Sequence, residues 1–254
     1  MAIRTNLTSL QPRREVYKRE MRLVSGGYSN RSAWPDGKIT IFPWDNELDE
    51  FLFEISRTKT ADESIYALVE RCCHLNGATV DQLVSSEVPS ILLASRTLGM
   101  GGRVRYRTVC PSCRNSAEEQ ITVPDELGVV GEKAPDYPGY DEITLPDSKD
   151  VVRIRPLLVS DDRRINERTP EQKAGISDNL LRLIYGIVSV GGGAPDNADE
   201  VRRWYESISP GDARFLDQKR MELSPRLNTK IGHVCDKCRR TFDWPLTFDM
   251  EFFR

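Results

Sequence analysis

Two Cys-x-x-Cys motifs constrain this chain more than any other feature of its sequence. Val109–Arg114 reads VCPSCR and Val234–Arg239 reads VCDKCR. Each motif lies between two strand-like segments, which is typical of a tight hairpin that points two thiols the same way. One such hairpin supplies half of a tetrahedral Cys₄ site, and two facing hairpins supply all of it. The pattern therefore predicts one structural Zn²⁺, bound by Cys110, Cys113, Cys235 and Cys238.

Other uses of paired cysteines remain open at this point. A thioredoxin-like redox motif would place its first cysteine at a helix N-terminus, where the thiol pKa falls, whereas both motifs here follow strands. The first 23 residues hold no apolar leader, so we expect a reducing compartment in which stable disulfides are disfavoured. Idle reduced thiols, or disulfides formed on assembly, are the remaining alternatives.

The segments around the two motifs repeat at a constant offset. Ile121–Val123 lies 125 residues before Leu246–Phe248, the same distance that separates the cysteines of the two motifs. Further upstream, KITIFP at 38–43 resembles VRIRP at 152–156, and acidic residues follow each of them. The pattern indicates an internal duplication. Chance similarity is the alternative, because the helical segments in between do not align visibly.

Hydrophobic periodicity predicts an α+β fold of helices and short antiparallel strands, completed by a split Cys₄ zinc-ribbon-like element. A chain of 254 residues is long enough to bury a real core. Apolar residues at helical spacing predict helices at 64–75, 89–100, 178–190, 198–207 and 212–223. A further helix is predicted at 12–24 behind Pro12, and a final strand is predicted at 246–253.

Charge and composition divide the chain into four predicted segments. These are a basic N-terminal arm at 1–31, a first α+β half at 32–124, an acidic linker or excursion at 125–150, and a second α+β half at 151–254. Between Arg4 and Arg31 there are seven Arg or Lys residues and two Glu, whereas Asp125–Asp150 holds eight acids and two Lys. We expect the arm to be poorly ordered until a neighbouring subunit binds it.

The remaining chemistry of the sequence predicts no enzyme. The chain has two histidines and no phosphate-binding, dinucleotide-binding or nucleophile-elbow motif. Cys72, Cys73 and His74 are consecutive on a predicted helix, so we expect the cysteines in the core rather than on a metal. His233 is expected to be a strand residue beside the second motif. No apolar run approaches the roughly 18 residues that a membrane-spanning helix needs.

Several longer segments carry a resemblance to a known group of proteins. They are Gly26–Tyr28, ITIFP at 39–43 with Asp49-Glu50, Ile91–Cys113, Ile231–Cys238 and the ending Met250–Arg254. Together they resemble the baseplate hub and hub-assembly proteins of contractile-tailed bacteriophages. The resemblance implies a structural or assembly role without catalysis, in the virion tail baseplate after assembly in the host cytoplasm. The partners it implies are hub, wedge or tube components, and copies of the chain within a ring.

A zinc-ribbon nucleic-acid-binding protein is the alternative function. Six arginines near the motifs have the chemistry to contact phosphates: Arg103, Arg105, Arg107, Arg114, Arg239 and Arg240. The net charge of −3 and the acidic span at 125–150 argue against nucleic acid as a partner.

Overall fold

The fold is α+β, as predicted, with its strands gathered into small antiparallel sheets. The computed structural model describes residues 17–123, 127–134, 136–169, 176–195 and 197–246. These residues form seven α-helices and twelve strands, arranged in two three-stranded and three two-stranded sheets. No helix within these ranges is long and apolar enough to cross a membrane.

The first half begins with a three-stranded sheet and ends with the first cysteine hairpin. Its elements in chain order are β1 (Arg19–Arg22), β2 (Lys38–Ile41), α1 (Asn46–Ile55), α2 (Ala61–Cys72), β3 (Cys73–His74), α3 (Val88–Met100), β4 (Arg103–Val109) and β5 (Ser116–Thr122). Side-chain oxygens of Asp45 and Thr60 accept backbone N–H groups and so start α1 and α2. The helices bury Leu48, Leu68 and Ile91 against the sheet.

A short connecting strand, β6 (Val129–Val130), follows the first hairpin. The second half of the structure then repeats the plan and starts earlier than the predicted bound of 151, because β7 lies within the predicted linker. Its elements are β7 (Asp141–Thr144), β8 (Val151–Ile154), α4 (Val159–Asn166), α5 (Asp178–Gly186), β9 (Ile187–Val190), α6 (Ala198–Ser207), α7 (Pro210–Leu223), β10 (Arg226–Leu227), β11 (Lys230–Val234) and β12 (Thr241–Pro245). Ser177, Asn197 and Ser209 cap α5, α6 and α7 with their side chains.

The two three-stranded sheets are built in the same way. In each, a hairpin supplies the first two strands, and the third strand leaves directly from a helix to pair with the middle one. The residue after the middle strand donates to the last residue of that helix in both halves. The distances are 2.7 Å from Phe42 N to Cys72 O and 2.8 Å from Arg155 N to Gly186 O. This shared arrangement is what the predicted duplication requires.

The span predicted as an acidic linker contributes structure to both halves. Within it, β7 is the first strand of the second sheet and β6 pairs with β10. Lys133 N also donates to Val24 O of the first half at 2.9 Å. The halves meet again where Ser85 N donates to Leu157 O and Val159 N donates to Leu83 O, both at 2.9 Å. Backbone hydrogen bonds from Lys133, Ser85 and Val159 therefore join the two halves.

Two of the predicted helices differ from the structure. Arg19–Arg22 of the predicted helix at 12–24 form β1, because their backbone pairs with β2. The predicted helix at 178–190 ends at Gly186, and the β-branched residues after it pair with β8. In both cases a long-range pairing outweighs local helix propensity. The last strand of the described residues is β12, which ends at Pro245, before the predicted strand at 246–253. Residues 12–16 and 247–253 lie outside the described residues.

A buried carboxylate holds the hairpin loop of each sheet. Glu87, just before α3, accepts hydrogen bonds from Ser25 N at 2.8 Å and Ser25 Oγ at 3.0 Å. In the other half Asp212, in the first turn of α7, accepts from Asp147 N at 2.8 Å and Ser148 N at 2.9 Å. Both carboxylates are 0% exposed. Each therefore fixes a sheet loop to the start of the helix that leads to a cysteine hairpin.

Gly99 of α3 marks the tightest backbone contact in this region. A Cβ added there would lie 1.8 Å from the carbonyl oxygen of Trp44, whose N–H donates to Ser95 O of the same helix. We expect Gly99→Ala to lower the free energy of unfolding by about 1–3 kcal/mol, because the backbone has to move apart. The matched control is Gly232→Ala, where the added Cβ meets nothing within 4 Å. Urea denaturation of both variants checks this, and equal stabilities would contradict it.

Candidate metal centre

The first Cys-x-x-Cys motif forms a closed turn between β4 and β5. Cys110 N donates to Asn115 O at 2.8 Å, and Arg114 N donates back to Cys110 O at 2.9 Å. Arg114 adopts φ 56°, a left-handed conformation that is uncommon for a residue other than glycine. The β4–β5 ladder runs without interruption from Arg103 opposite Thr122 to the motif itself. The hairpin therefore fixes both thiols of the motif on a regular strand pair.

The second motif repeats this turn between β11 and β12. Cys235 N donates to Arg240 O at 3.0 Å, and Arg239 N donates to Cys235 O at 2.8 Å. Arg239 has φ 61°, close to the value of its counterpart in the first motif. The two turns thus share their hydrogen bonds and their one left-handed residue, 125 positions apart. The two hairpins present equivalent pairs of sulfur atoms.

The structure brings the four predicted cysteines together. Their Sγ atoms all lie within 4.8 Å of one another, and no other group of metal-binding side chains with this closeness occurs in the described residues. The distances across the hairpins are 3.6 Å for Cys110 to Cys238 and 3.6 Å for Cys113 to Cys235. A tetrahedron with Zn–S bonds of about 2.3 Å has edges of about 3.8 Å. A disulfide would need about 2.05 Å instead.

Two of the four cysteines of the centre are buried, and the hairpins that carry them share a small hydrophobic cluster. Cys110 and Cys235 are 1% and 2% exposed, while Cys113 is half-buried and Cys238 is exposed. The cluster beneath the hairpins includes Leu93 of α3, with residues of both hairpins packed against it. Four sulfur ligands complete a tetrahedral coordination sphere, so the arrangement leaves no open position for a substrate.

Backbone N–H groups favour the thiolate form of the first cysteine in each motif. The Cys113 N–H, with the Ser112 N–H, lowers the pKa of the Cys110 thiol to about 6. The Cys238 N–H lowers the pKa of Cys235 in the same way. The Arg240 N–H acts in that direction on Cys238, but burial and the neighbouring sulfurs outweigh it and raise its pKa to about 11. The backbone of each hairpin therefore favours the thiolate, which is the form that binds a cation, at the first cysteine of its motif.

Two side-chain contacts join the cysteine hairpins near the four thiols. Arg240 of the second motif donates to Ser112 Oγ of the first at 3.3 Å. His233 of β11 packs edge-on against Phe242 and lies 3.6 Å from the Glu119 carboxylate of β5. His233 is therefore a strand residue beside the motif, as predicted. Sequence reasoning missed Ser112 and Glu119, since their partners are more than 100 residues away and no motif marks them.

The other cysteines and aromatic candidates are structural. Cys72 and Cys73 are buried in the core of the first half, as predicted. His74 bonds to Asn76. Trp34 and Trp44 are 1% and 2% exposed and belong to the same core. The aromatic pair at 252–253 lies outside the described residues.

Comparison with known proteins identifies the family to which this chain belongs. A family model described as "T4 bacteriophage base plate protein" matches residues 28–254, which is 227 of the 254 residues. The match includes both cysteine hairpins and, apart from β1, every strand of the two three-stranded sheets. Among curated proteins and solved structures, none matches the chain. Because the family model covers most of the chain, including the whole metal centre, this protein is a member of the T4 bacteriophage base plate protein family.

Proposed function

We propose that this protein is a non-enzymatic building block of the contractile-tail baseplate whose two halves are fastened by one structural zinc ion. Family membership makes it a structural component of the virion tail that contacts other baseplate proteins. The observation that carries the zinc proposal is the position of the four thiols, all within 4.8 Å of one another. Two come from the hairpin that ends the first half and two from the hairpin that ends the second.

The donor set favours zinc over other ions. Four thiolates form the usual ligand set of a structural zinc site, whereas calcium and magnesium bind oxygen ligands. The bound ion would offset the negative charge of the thiolates and hold the two hairpins together. Four thiolates around Zn²⁺ leave a net charge of −2, which nearby arginines such as Arg240 would partly neutralise.

The proposed lack of catalysis is supported by how the candidate groups are used. A closed Cys₄ site offers no coordination position for a reacting molecule. The two histidines are engaged in structural contacts, His74 with Asn76 and His233 with Phe242 and Glu119. The closed site and the structural contacts of the two histidines are consistent with a rigid structural protein.

Elemental analysis of purified protein tests the metal directly. We expect about one zinc per chain, because four sulfur ligands fill one tetrahedral site. The double variant Cys110→Ser/Cys235→Ser should lose it, since it removes one ligand from each motif. The matched control is Cys72→Ala, which removes a buried thiol outside the cluster and should keep the zinc. Wild-type protein without metal and with four titratable thiols in the cluster would contradict the proposal.

We further propose hub, wedge or tube components as the neighbours, together with copies of the chain in a ring. Exposed apolar side chains support contacts beside the metal centre. Val109 and Val234, each directly before the first cysteine of a motif, are 42% and 50% exposed. Cross-linking of assembled baseplates followed by mass spectrometry would identify the neighbours. Cross-links confined to proteins outside the hub, wedge and tube would refute this choice of partners.

One observation favours the nucleic-acid alternative enough to require a test. Arg103, Arg105 and Arg107 all lie exposed along one face of β4. A cationic stripe that binds nucleic acid releases counterions, so its affinity falls steeply with salt. We expect no such salt-sensitive binding, because the net charge is −3. Fluorescence anisotropy with a DNA duplex at two salt concentrations checks this, and affinity near a micromolar that weakens with salt would revive the alternative.

A further inference from the structure

The outer face of β4 carries a stripe of three exposed arginines, Arg103, Arg105 and Arg107. Successive members lie about 6.6–6.8 Å apart, because every second residue of a strand points to the same face. Within the described residues none of the three forms an ion pair, although Arg107 donates to Ser116 Oγ at 2.7 Å. On the paired strand β5 this face holds one acid, Glu118, opposite Arg107. The face therefore keeps a net positive charge.

The second cysteine hairpin forms without such a stripe. On the 125-residue offset the three arginines correspond to two neutral residues and one lysine: Asn228, Lys230 and Gly232. Strands β11 and β12 nevertheless pair along their whole length and end in the same turn around their cysteines. The exposed valine before each motif is kept in both hairpins, as Val109 and Val234. The fold of a cysteine hairpin therefore does not account for the arginine stripe.

Helix α1 presents exposed acids at a matching spacing. Glu47, Glu50 and Glu54 lie at i, i+3 and i+7, which places them on one face of the helix, and all three are exposed. Glu50 and Glu54 are about 6.0 Å apart along the helix axis, close to the separation of two neighbouring arginines in the stripe. Within the described residues neither of these two forms an ion pair, whereas Glu47 lies 3.9 Å from Arg71.

Each of these two surfaces also has an exposed apolar side chain beside its charges. Phe53 of α1 is 50% exposed, and Val109, which continues the outer face of β4, is 42% exposed. Exposed ion pairs alone contribute little free energy, so a stable contact also needs apolar area. Arg57 packs over the Phe53 ring at 4.0 Å but follows the end of the helix, beyond Glu50 and Glu54. The two surfaces are therefore complementary in charge and in apolar character.

We infer that the arginine stripe of β4 binds the Glu50 and Glu54 face of α1 on a second copy of this chain. The two surfaces lie on different elements, so the contact is head-to-tail: each copy offers its stripe to one neighbour and its helix face to the other. Contacts of this kind close into a ring when the rotation between copies allows it, and otherwise extend into a filament. The inference rests on the proposed function as a repeated baseplate component, and it does not depend on the metal.

Charge reversal and its rescue test this contact in the full-length protein. The variant Arg105→Glu/Arg107→Glu has acids on both surfaces, and Glu50→Arg/Glu54→Arg has cations on both. We expect the wild type to self-associate in sedimentation velocity at low salt. Each variant should raise the dissociation constant at least about tenfold, because like charges then face each other. An equimolar mixture of the two variants should restore assembly, because every contact again joins opposite charges.

The matched control is Arg203→Glu/Arg214→Glu, which changes the charge equally at exposed positions of α6 and α7 and should assemble like the wild type. A wild type that stays monomeric at low salt, or a mixture that stays dissociated, would overturn the inference. Salt-sensitive binding of a DNA duplex that is lost in Arg105→Glu/Arg107→Glu would assign the stripe to nucleic acid instead. Zinc content is measured on the same samples. A zinc-containing monomer would refute this contact and leave the zinc proposal standing.

Discussion

Replacing Cys110 and Cys235 together by serine is expected to lower the melting temperature of this protein by about 10–20 °C. A structural zinc contributes about 10–16 kcal/mol in finger peptides that have little other core. Here each half has a hydrophobic cluster of its own, so the fold depends on the metal less completely. A loss of about 5 kcal/mol is the expected scale, at about 2–4 °C per kcal/mol for a chain of this size.

The source of this loss can be separated from ordinary side-chain damage. If the four thiols act through one ion, the quadruple serine variant should be no less stable than the double variant, because the first two changes already release the metal. A chelator should lower the wild-type melting temperature toward that of the double variant and leave the double variant unchanged. If the chelator leaves the wild-type melting temperature unchanged, the contact between the hairpins does not depend on a metal.

The buried carboxylate of Glu87 should make stability fall as pH rises. Burial outweighs the hydrogen bonds from Ser25 and raises the pKa of Glu87 from 4.5 to about 7. Between these values the folded protein holds a proton that the unfolded chain releases. The stabilisation is therefore complete below pH 4.5 and is lost as the pH rises through about 7. The rise in pKa corresponds to about 3 kcal/mol, taken as an order of magnitude.

The neutral isostere Glu87→Gln isolates this effect. Relative to this variant, the wild type should lose about 3 kcal/mol of unfolding free energy between acidic pH and pH 8, in urea denaturation series. Asp212→Asn provides the control with the opposite sign. Burial acts to raise the pKa of Asp212, but N–H donors from Asp147 and Ser148 outweigh it and hold the pKa below its usual value. The advantage of wild type over Asp212→Asn should therefore shrink on acidification. Parallel pH profiles for wild type and Glu87→Gln would contradict the role of Glu87.

Local signals were sufficient to predict the four ligands and the strand that leads into each motif. The return strands begin earlier than predicted: β5 spans Ser116–Thr122, and β12 spans Thr241–Pro245, before the strand predicted at 246–253. Helix α3 was predicted within one residue, because its apolar spacing is regular and a proline lies in its first turn. The zinc itself remains a prediction. The constant offset of 125 residues also anticipated the repeated turn at Arg114 and Arg239.

Contacts between residues distant in the sequence decided the rest. Arg19–Arg22 and Ile187–Val190 both fall within segments whose sequence predicts a helix, yet each pairs with a strand elsewhere in its half. The hydrogen bond between Ser25 and Glu87 joins residues 62 positions apart, and no local pattern marks either as a partner. The crossing of Cys110 to Cys238 and of Cys113 to Cys235 likewise depends on how the hairpins face each other. Local propensity is worth less than 1 kcal/mol per residue for most side chains, so long-range pairing and burial override it wherever the two disagree.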